Sequence, residues 1–74
     1  MDPFTFAFNE LRRSVNDRSL LSIETRAILT LRALVEEHKV AVEMAIKAIT
    51  AVYPLGLNQL GKIADKAREK YNEH

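Results

Sequence analysis

The chain has 74 residues, of which 47% are hydrophobic, with eleven basic and ten acidic side chains and no cysteine. This length allows one small domain, and the lack of cysteine excludes disulfides and thiolate metal sites. The formal net charge of +1 gives no overall attraction to nucleic acid or to an acidic membrane surface. No apolar run approaches the roughly 18 residues of a membrane span, and the first residues do not resemble a signal peptide. We therefore expect a soluble intracellular domain.

Few residues in the chain break helices, because it contains only two glycines and two prolines. Alanine, leucine, glutamate, lysine and arginine are abundant, and all five favour helices. These features predict an all-α fold of three to four helices joined by very short links. The helices are expected to form either a bundle or a short right-handed α-α superhelix.

The first helix is predicted to run from about Phe6 to Asn16, with the Thr5 hydroxyl as its N-terminal cap. One stripe recurs at spacings of three and four and is expected to face the core: Phe4, Phe8, Leu11 and Val15. Phe6 is expected to point away from it. An apolar contact surface for a partner or a second copy is the alternative to core packing here. Residues 1–5 are predicted to be an N-terminal tail, and Met1-Asp2-Pro3 is interpreted as a vector remnant.

The second helix is predicted to begin after Ser22, which can cap it, with Glu24 near the positive end of the helix dipole. Its inner stripe is predicted to comprise Ile23, Ala27, Leu31 and Leu34. A third segment, 40–53, is rich in alanine and aliphatic residues. No glycine or proline separates the two segments, so one helix of about thirty residues is an alternative. We favour a break near His38-Lys39, since two helices packed back to back bury more surface.

The stretch Tyr53-Pro54-Leu55-Gly56 is a strong stop signal, since proline disfavours helical geometry in the preceding residue and glycine permits a left-handed turn. The last helix follows, with Asn58 as its predicted cap. Its core stripe is predicted to comprise Leu57, Leu60, Ile63 or Ala64, Ala67 and Tyr71. The helical domain is therefore predicted to span residues 6–72, followed by a short tail at 73–74.

Catalysis is not expected, because the chain lacks the residue combinations that it requires. Cysteine is absent, the serines lie in capping or linker positions, and no glycine-rich phosphate-binding motif occurs. His38 lies in the charged stretch EEHK and is interpreted as a solvated linker residue, with ligand binding or a pH switch as the alternative. Two histidines are too few for a structural zinc site, so we expect neither a metal nor another cofactor.

Two classes of binding function are open. Nucleic-acid binding is suggested by four cations in the last helix: Lys62, Lys66, Arg68 and Lys70. Three acidic residues interleave with them, which favours a solubilising face with short-range ion pairs: Asp65, Glu69 and Glu73. Binding of a protein or peptide is therefore the favoured class. A small helical nucleic-acid-binding domain and a homodimerisation module are the alternatives.

Three segments occur in order, FNELRRSVND, SLLSIETRAILTLRALVEE and VAVEMAIKAI, followed by a leucine-led helix. Ile23, Leu29, Thr30 and Glu36-Glu37 also loosely echo a pattern written I..LT.LA.E, since they follow its order of residue types but not its spacing. This arrangement resembles the N-terminal half of the domains that interact with the C-terminal tail of RNA polymerase II. The resemblance covers most of this chain, while domains of that family are about twice as long. Other small α-α superhelical modules of the transcription machinery match nearly as well.

The peptide-binding helix of that family carries a pattern like L-Y-L-x-D-S-I-x-K-N. Aligning its aspartate with Asp65 places Ile63 on its leucine, Ala67 on its isoleucine and Lys70 on its asparagine. The departures from the pattern include Lys62 in place of the aromatic residue, Lys66 in place of the serine and Glu69 in place of the lysine.

The resemblance implies a surface that binds an extended or short helical peptide, phosphorylated or not. Asp65 would bond a peptide hydroxyl or amide, while Arg26, Lys62 or Lys66 would offer charge to a phosphate. With Lys70, these residues are the expected partner-binding set. The expected function is non-enzymatic docking of a partner peptide or helix, in transcription or RNA processing, with a nuclear location favoured over a cytoplasmic one.

Overall fold

The computed structural model describes residues 1–16 and 22–71, and within these ranges the fold is all-α with no strand. Four helices follow one another as α1 (Pro3–Asn16), α2 (Ile23–Arg32), α3 (Val42–Val52) and α4 (Leu57–Tyr71). A π-helical turn over Ala33–Glu37, called the π turn below, continues α2. The predicted small helical bundle is therefore confirmed.

Helix α3 is the centre of the bundle, because α1, α2 and α4 all pack against it. Small residues on α1 and α3 let these two helices approach closely, since Ala7, Ala45 and Ala48 are fully buried. Leu34 and Ile49 are the largest side chains with essentially no exposed surface. The remaining core residues are Ala27, Leu31, Ile46, Tyr53, Ile63, Ala64 and Ala67.

The start of α1 differs from the prediction, because Asp2 and not Thr5 caps this helix. The Asp2 Oδ1 atom accepts a bond from the Phe4 N–H at 3.1 Å, and Oδ2 accepts one from the Thr5 hydroxyl at 2.7 Å. Pro3 occupies the first helical position, where its missing N–H costs no hydrogen bond. These bonds also hold the pKa of Asp2 below its usual value. Residues 3–5, predicted to belong to a tail, are thus helical.

The face that α1 buries also differs from the prediction. Phe4, Phe8 and Val15 remain 38%, 51% and 60% exposed. The buried positions of α1 are instead Ala7 and Ser14. The helix is rotated so that its small residues meet α3, because close helix packing favours small side chains at the contact. Phe6, expected to point outward, packs against the core and places its ring edge-on at 4.8 Å from the His38 ring.

The predictions for α2 and its end are confirmed. The Ser22 hydroxyl accepts a bond from the Thr25 N–H at 3.1 Å, and Ala27, Leu31 and Leu34 are buried. The helix ends at the predicted place, because the π turn closes at His38 and Lys39 adopts a left-handed backbone with φ of 58°. The Val40 N–H then bonds the Leu34 carbonyl at 2.9 Å. Residues 22–53 therefore form two helices.

Replacing Lys39 by glycine is expected to stabilise the domain by about 0.5–1 kcal/mol, because a residue with a Cβ pays roughly 1–2 kcal/mol in the left-handed region. Urea unfolding followed by circular dichroism measures the change. Lys39→Ala is the matched control, since it removes the side chain but keeps the Cβ, and it should change stability little. Destabilisation by glycine would contradict the backbone conformation described for Lys39.

The link between α3 and α4 confirms the predicted stop but not the predicted cap. Gly56 precedes the helix: its carbonyl accepts from the Leu60 N–H, and its own N–H donates to Gln59 Oε1 at 3.1 Å. Asn58 lies inside the helix, and neither glycine has a positive φ. The predicted α4 stripe is correct except at Leu57, which is 86% exposed.

Candidate peptide-binding groove

An open groove of about 180 Å³ lies between α2 and α4. It exists because both helices pack on α3 without closing on each other. The apolar residues that line it are Ile28, Leu31, Ile63 and Ala67, and the charged or polar ones are Glu24, Arg32, Lys62, Lys66, Lys70 and Tyr71. Apolar atoms at the base and cations along one wall give the groove a mixed character.

The apolar base follows from the helical periodicity of its two walls. Ile28 and Leu31 are three residues apart on α2, and Ile63 and Ala67 are four apart on α4, so each pair shares a face. Leu31, Ile63 and Ala67 are buried in the core, whereas Ile28 is 40% exposed. The groove therefore offers an accessible aliphatic side chain above a well-packed floor, as in sites that accept apolar anchors.

One wall of the groove is cationic because Lys62, Lys66 and Lys70 recur every four residues along α4. Within the described ranges, Lys62 and Lys66 form no ion pair, whereas Lys70 lies 3.4 Å from a carboxylate oxygen of Glu36. Among the residues that the structure describes, Glu24 is the one acidic residue that lines the groove. Two lysine charges therefore remain available to an acidic ligand.

Glu36 joins the last turn of α4 to the π turn at one end of the groove. Its carboxylate accepts a short hydrogen bond from the Tyr71 hydroxyl and lies 3.7 Å from Arg32 Nε. The tyrosine bond, with the charges of Lys70 and Arg32, holds the pKa of Glu36 below its usual value. Desolvation and the same hydrogen bond raise the pKa of Tyr71 to about 12. These contacts set the spacing of the groove walls at this end.

A second polar contact fixes α4 against α3. Arg68 donates two hydrogen bonds to the Glu43 carboxylate, at 2.7 and 2.9 Å, in the side-by-side geometry that suits guanidinium and carboxylate groups. This bond lowers the pKa of Glu43. Since Arg68 lies on the side of α4 away from the groove lining, the pair supports the groove wall without occupying it.

The structure brings together three of the five residues expected to bind a partner. Lys62, Lys66 and Lys70 line the groove, but Asp65 does not. The Asp65 side chain is 83% exposed and lies 3.9 Å from Arg68, its nearest described cation. Arg26 is half-buried outside the groove, where its charge acts on the Tyr53 hydroxyl.

Sequence reasoning missed the other wall of the groove. Ile28 was recognisable as a residue flanking the inner stripe of α2, and Arg32 follows it by four positions. Ile28 and Arg32 face α4 only in the folded chain, so no pattern within the sequence of α2 predicts that they line a groove with it. The buried bond between Thr30 and Tyr53, 2.7 Å between hydroxyl oxygens, was also not predicted, because it joins residues 23 positions apart.

A scan against protein-family models gave no match, and searches of curated proteins and of solved structures gave none either. Among residues 1–16 and 22–71, no helix has the length and apolar character needed to cross a membrane. The same residues contain no cluster of three or more histidine or acidic side chains placed to hold a metal ion. The resemblance to tail-interacting domains stays a prediction.

Proposed function

We propose that this domain docks a peptide or helix of a partner protein in the groove between α2 and α4. The observation that carries the proposal is the apolar base of the groove beside Lys62 and Lys66, two cations without an ion-pair partner in the described ranges. A segment with apolar anchors on one side and acidic groups beside them would satisfy both features. The function is binding and not catalysis.

The groove suits a peptide better than a nucleic acid. Its base is aliphatic, and one of its three lysines is already engaged with Glu36. Among the described residues that line the groove, a phosphate backbone would find two lysines without an ion pair and no aromatic side chain other than Tyr71 for base stacking. Nucleic-acid binding is kept as the alternative, and its steep dependence on salt concentration distinguishes it from a groove with an apolar base.

The acidic groups of the partner could be carboxylates or phosphates, because lysine binds either as a point charge. A phosphorylated repeat of the RNA polymerase II tail is the ligand that the sequence resemblance implies, and it would give the domain a nuclear role in transcription or RNA processing. That role rests on the resemblance alone. The groove chemistry supports the wider class of acidic peptides with apolar anchors.

Titration of the ¹⁵N-labelled domain tests the proposal. Two peptides are compared: an amphipathic helix with leucine at i, i+4 and i+7 flanked by glutamate, and the same peptide with glutamine for glutamate. A phosphorylated and an unphosphorylated tail repeat form a second pair. We expect the acidic member of at least one pair to shift amide signals of Ile28 and of residues 62–70. Shifts confined to other surfaces, or none with any peptide, would overturn the proposal.

A further inference from the structure

The two walls of the α2–α4 groove run in the same direction. Very short links join α2 and its π turn to α3, and α3 to α4, and helices joined in this way are antiparallel neighbours. Both walls therefore run opposite to α3. Glu36 lies where the two walls end, since it contacts Arg32 of α2 and Tyr71 of α4. We call this the closed end of the groove, and the end lined by Glu24 and Lys62 the open end.

The backbone of the two walls limits the kind of segment that the groove accepts. An extended segment gains affinity by pairing with the edge of a sheet, and the described residues form no strand. Over the apolar base its N–H and C=O groups would lose water without gaining a partner, which costs free energy for each group. A proline-rich segment docks on aromatic rings, whereas Tyr71 is the one aromatic residue among the described lining. A helix bonds its own backbone groups and avoids both problems.

We infer that the groove holds a short amphipathic helix of a partner protein, running antiparallel to α2 and α4. This inference rests on the proposed docking function. The bound helix faces α3 across the base formed by Leu31 and Ile63, and it completes a four-helix arrangement. Its positive amino end lies at the negative carboxyl ends of both walls, so the dipoles of α2 and α4 favour the same direction. The lining from Lys62 to Lys70 is about 12 Å long, which about two to three helical turns span.

Side-chain charges along the groove favour the same direction. Arg32 and Lys70 line the closed end, and Glu36 balances only one of these two charges. At the open end, Glu24 and Lys62 carry opposite charges, so this end does not favour an acidic turn. The acidic half of the bound helix therefore belongs at the closed end. Because a helix itself favours acidic residues near its amino end, the partner segment that fits is a helix with its acidic residues in the amino-terminal half.

Paramagnetic relaxation in NMR spectra measures the direction of the bound helix. The probe is the leucine-glutamate peptide of the titration with its glutamates confined to the amino-terminal half, carrying a nitroxide on a cysteine at either end. The domain has no cysteine, so the label stays on the peptide. We expect the amino-terminal label to broaden the amides of Arg32 and Lys70, and the carboxyl-terminal label those of Glu24 and Lys62. Reversed broadening, or equal broadening from both labels, would overturn the inferred direction.

Two proline-substituted peptides test the helical conformation. Proline in the middle of the peptide should weaken binding at least about tenfold, because it interrupts a helix. Proline at the first helical position is the matched control, and it should change the affinity by less than about threefold, since a helix tolerates proline there. Equal affinities of the two proline peptides would overturn the helical conformation, and so would groove binding of the tail repeat alone.

These results are distinguishable from a failure of docking itself. Reversed broadening, equal broadening or equal proline affinities all require binding in the groove, so the proposed function would stand while the inferred helix or its direction would not. If no peptide shifts the amide signals of Ile28 and residues 62–70, the proposed docking and the inference both fail.

Discussion

Reversing two charges in the groove, Lys62→Glu together with Lys66→Glu, is expected to weaken binding of an acidic amphipathic peptide by about ten- to a hundredfold. Each exposed ion pair contributes up to about 1 kcal/mol, and reversal adds repulsion of similar size. Both side chains are exposed and unpaired within the described ranges, so the substitutions should leave the fold intact. Isothermal titration calorimetry measures the affinity, with circular dichroism as the check on folding.

Arg12→Glu together with Arg13→Glu is the matched control, because it changes the net charge equally on α1, away from the groove lining. It should weaken binding by less than about threefold, through long-range charge alone. Asp65→Ala forms a second control with a different purpose. The sequence resemblance assigns Asp65 to the peptide, whereas the structure leaves it outside the groove, so we expect unchanged affinity. Equal losses in the groove and control variants would show that overall charge, and not the groove, determines binding.

Replacing Leu34 by alanine should destabilise the domain by about 2–5 kcal/mol, the usual range for a fully buried leucine. Leu34 has no exposed surface and lies in the π turn, where it packs into the core formed by all four helices. A domain of this size has a stability of only about 5 kcal/mol, so the variant should be largely unfolded near physiological temperature. Thermal and urea unfolding followed by circular dichroism measure the loss.

Leu57→Ala makes the same chemical change at a site that is 86% exposed, and it should alter the free energy of unfolding by less than about 0.5 kcal/mol. The comparison thus separates burial from residue type. If the two variants unfold at the same urea concentration, Leu34 cannot occupy the packed position described for it. The sequence predicted core positions for both leucines, whereas the structure buries Leu34 and exposes Leu57. The pair of variants therefore also tests this correction to the predicted core.

Helical periodicity correctly predicted the buried faces of α2 and α4 because each has a single broad apolar stripe. Helix α1 has two candidate faces, and the larger side chains suggested the wrong one. Which face of α1 is buried depends on α3, since the buried alanines of α3 favour contact with a small residue, Ala7. Because this contact joins two separate helices, the sequence of α1 alone does not predict it. The capping residue of α1 could not be predicted either. Asp2 and Thr5 are both good capping residues, and which of them caps the helix depends on the residue at which the helix begins.

The candidate groove was partly predictable. The spacing of Lys62, Lys66 and Lys70 places them on one face of any helix, so their grouping follows from the sequence. Their contact with Ile28 and Arg32 depends on how α2 and α4 sit on α3. Neutralisation of Lys70 by Glu36 likewise joins residues 34 positions apart. Which lysines remain available to a ligand could therefore be learned only from the folded chain.

The most direct test of peptide docking is the pairwise NMR titration of the acidic amphipathic peptide and its glutamine counterpart at two salt concentrations. We expect the acidic peptide to bind more tightly, to shift Ile28 and residues 62–70, and to lose only modest affinity at the higher salt, because the apolar base contributes in both conditions. Equal shifts with both peptides would contradict the role of Lys62 and Lys66. An absence of groove shifts with every peptide tested would contradict docking in this groove altogether.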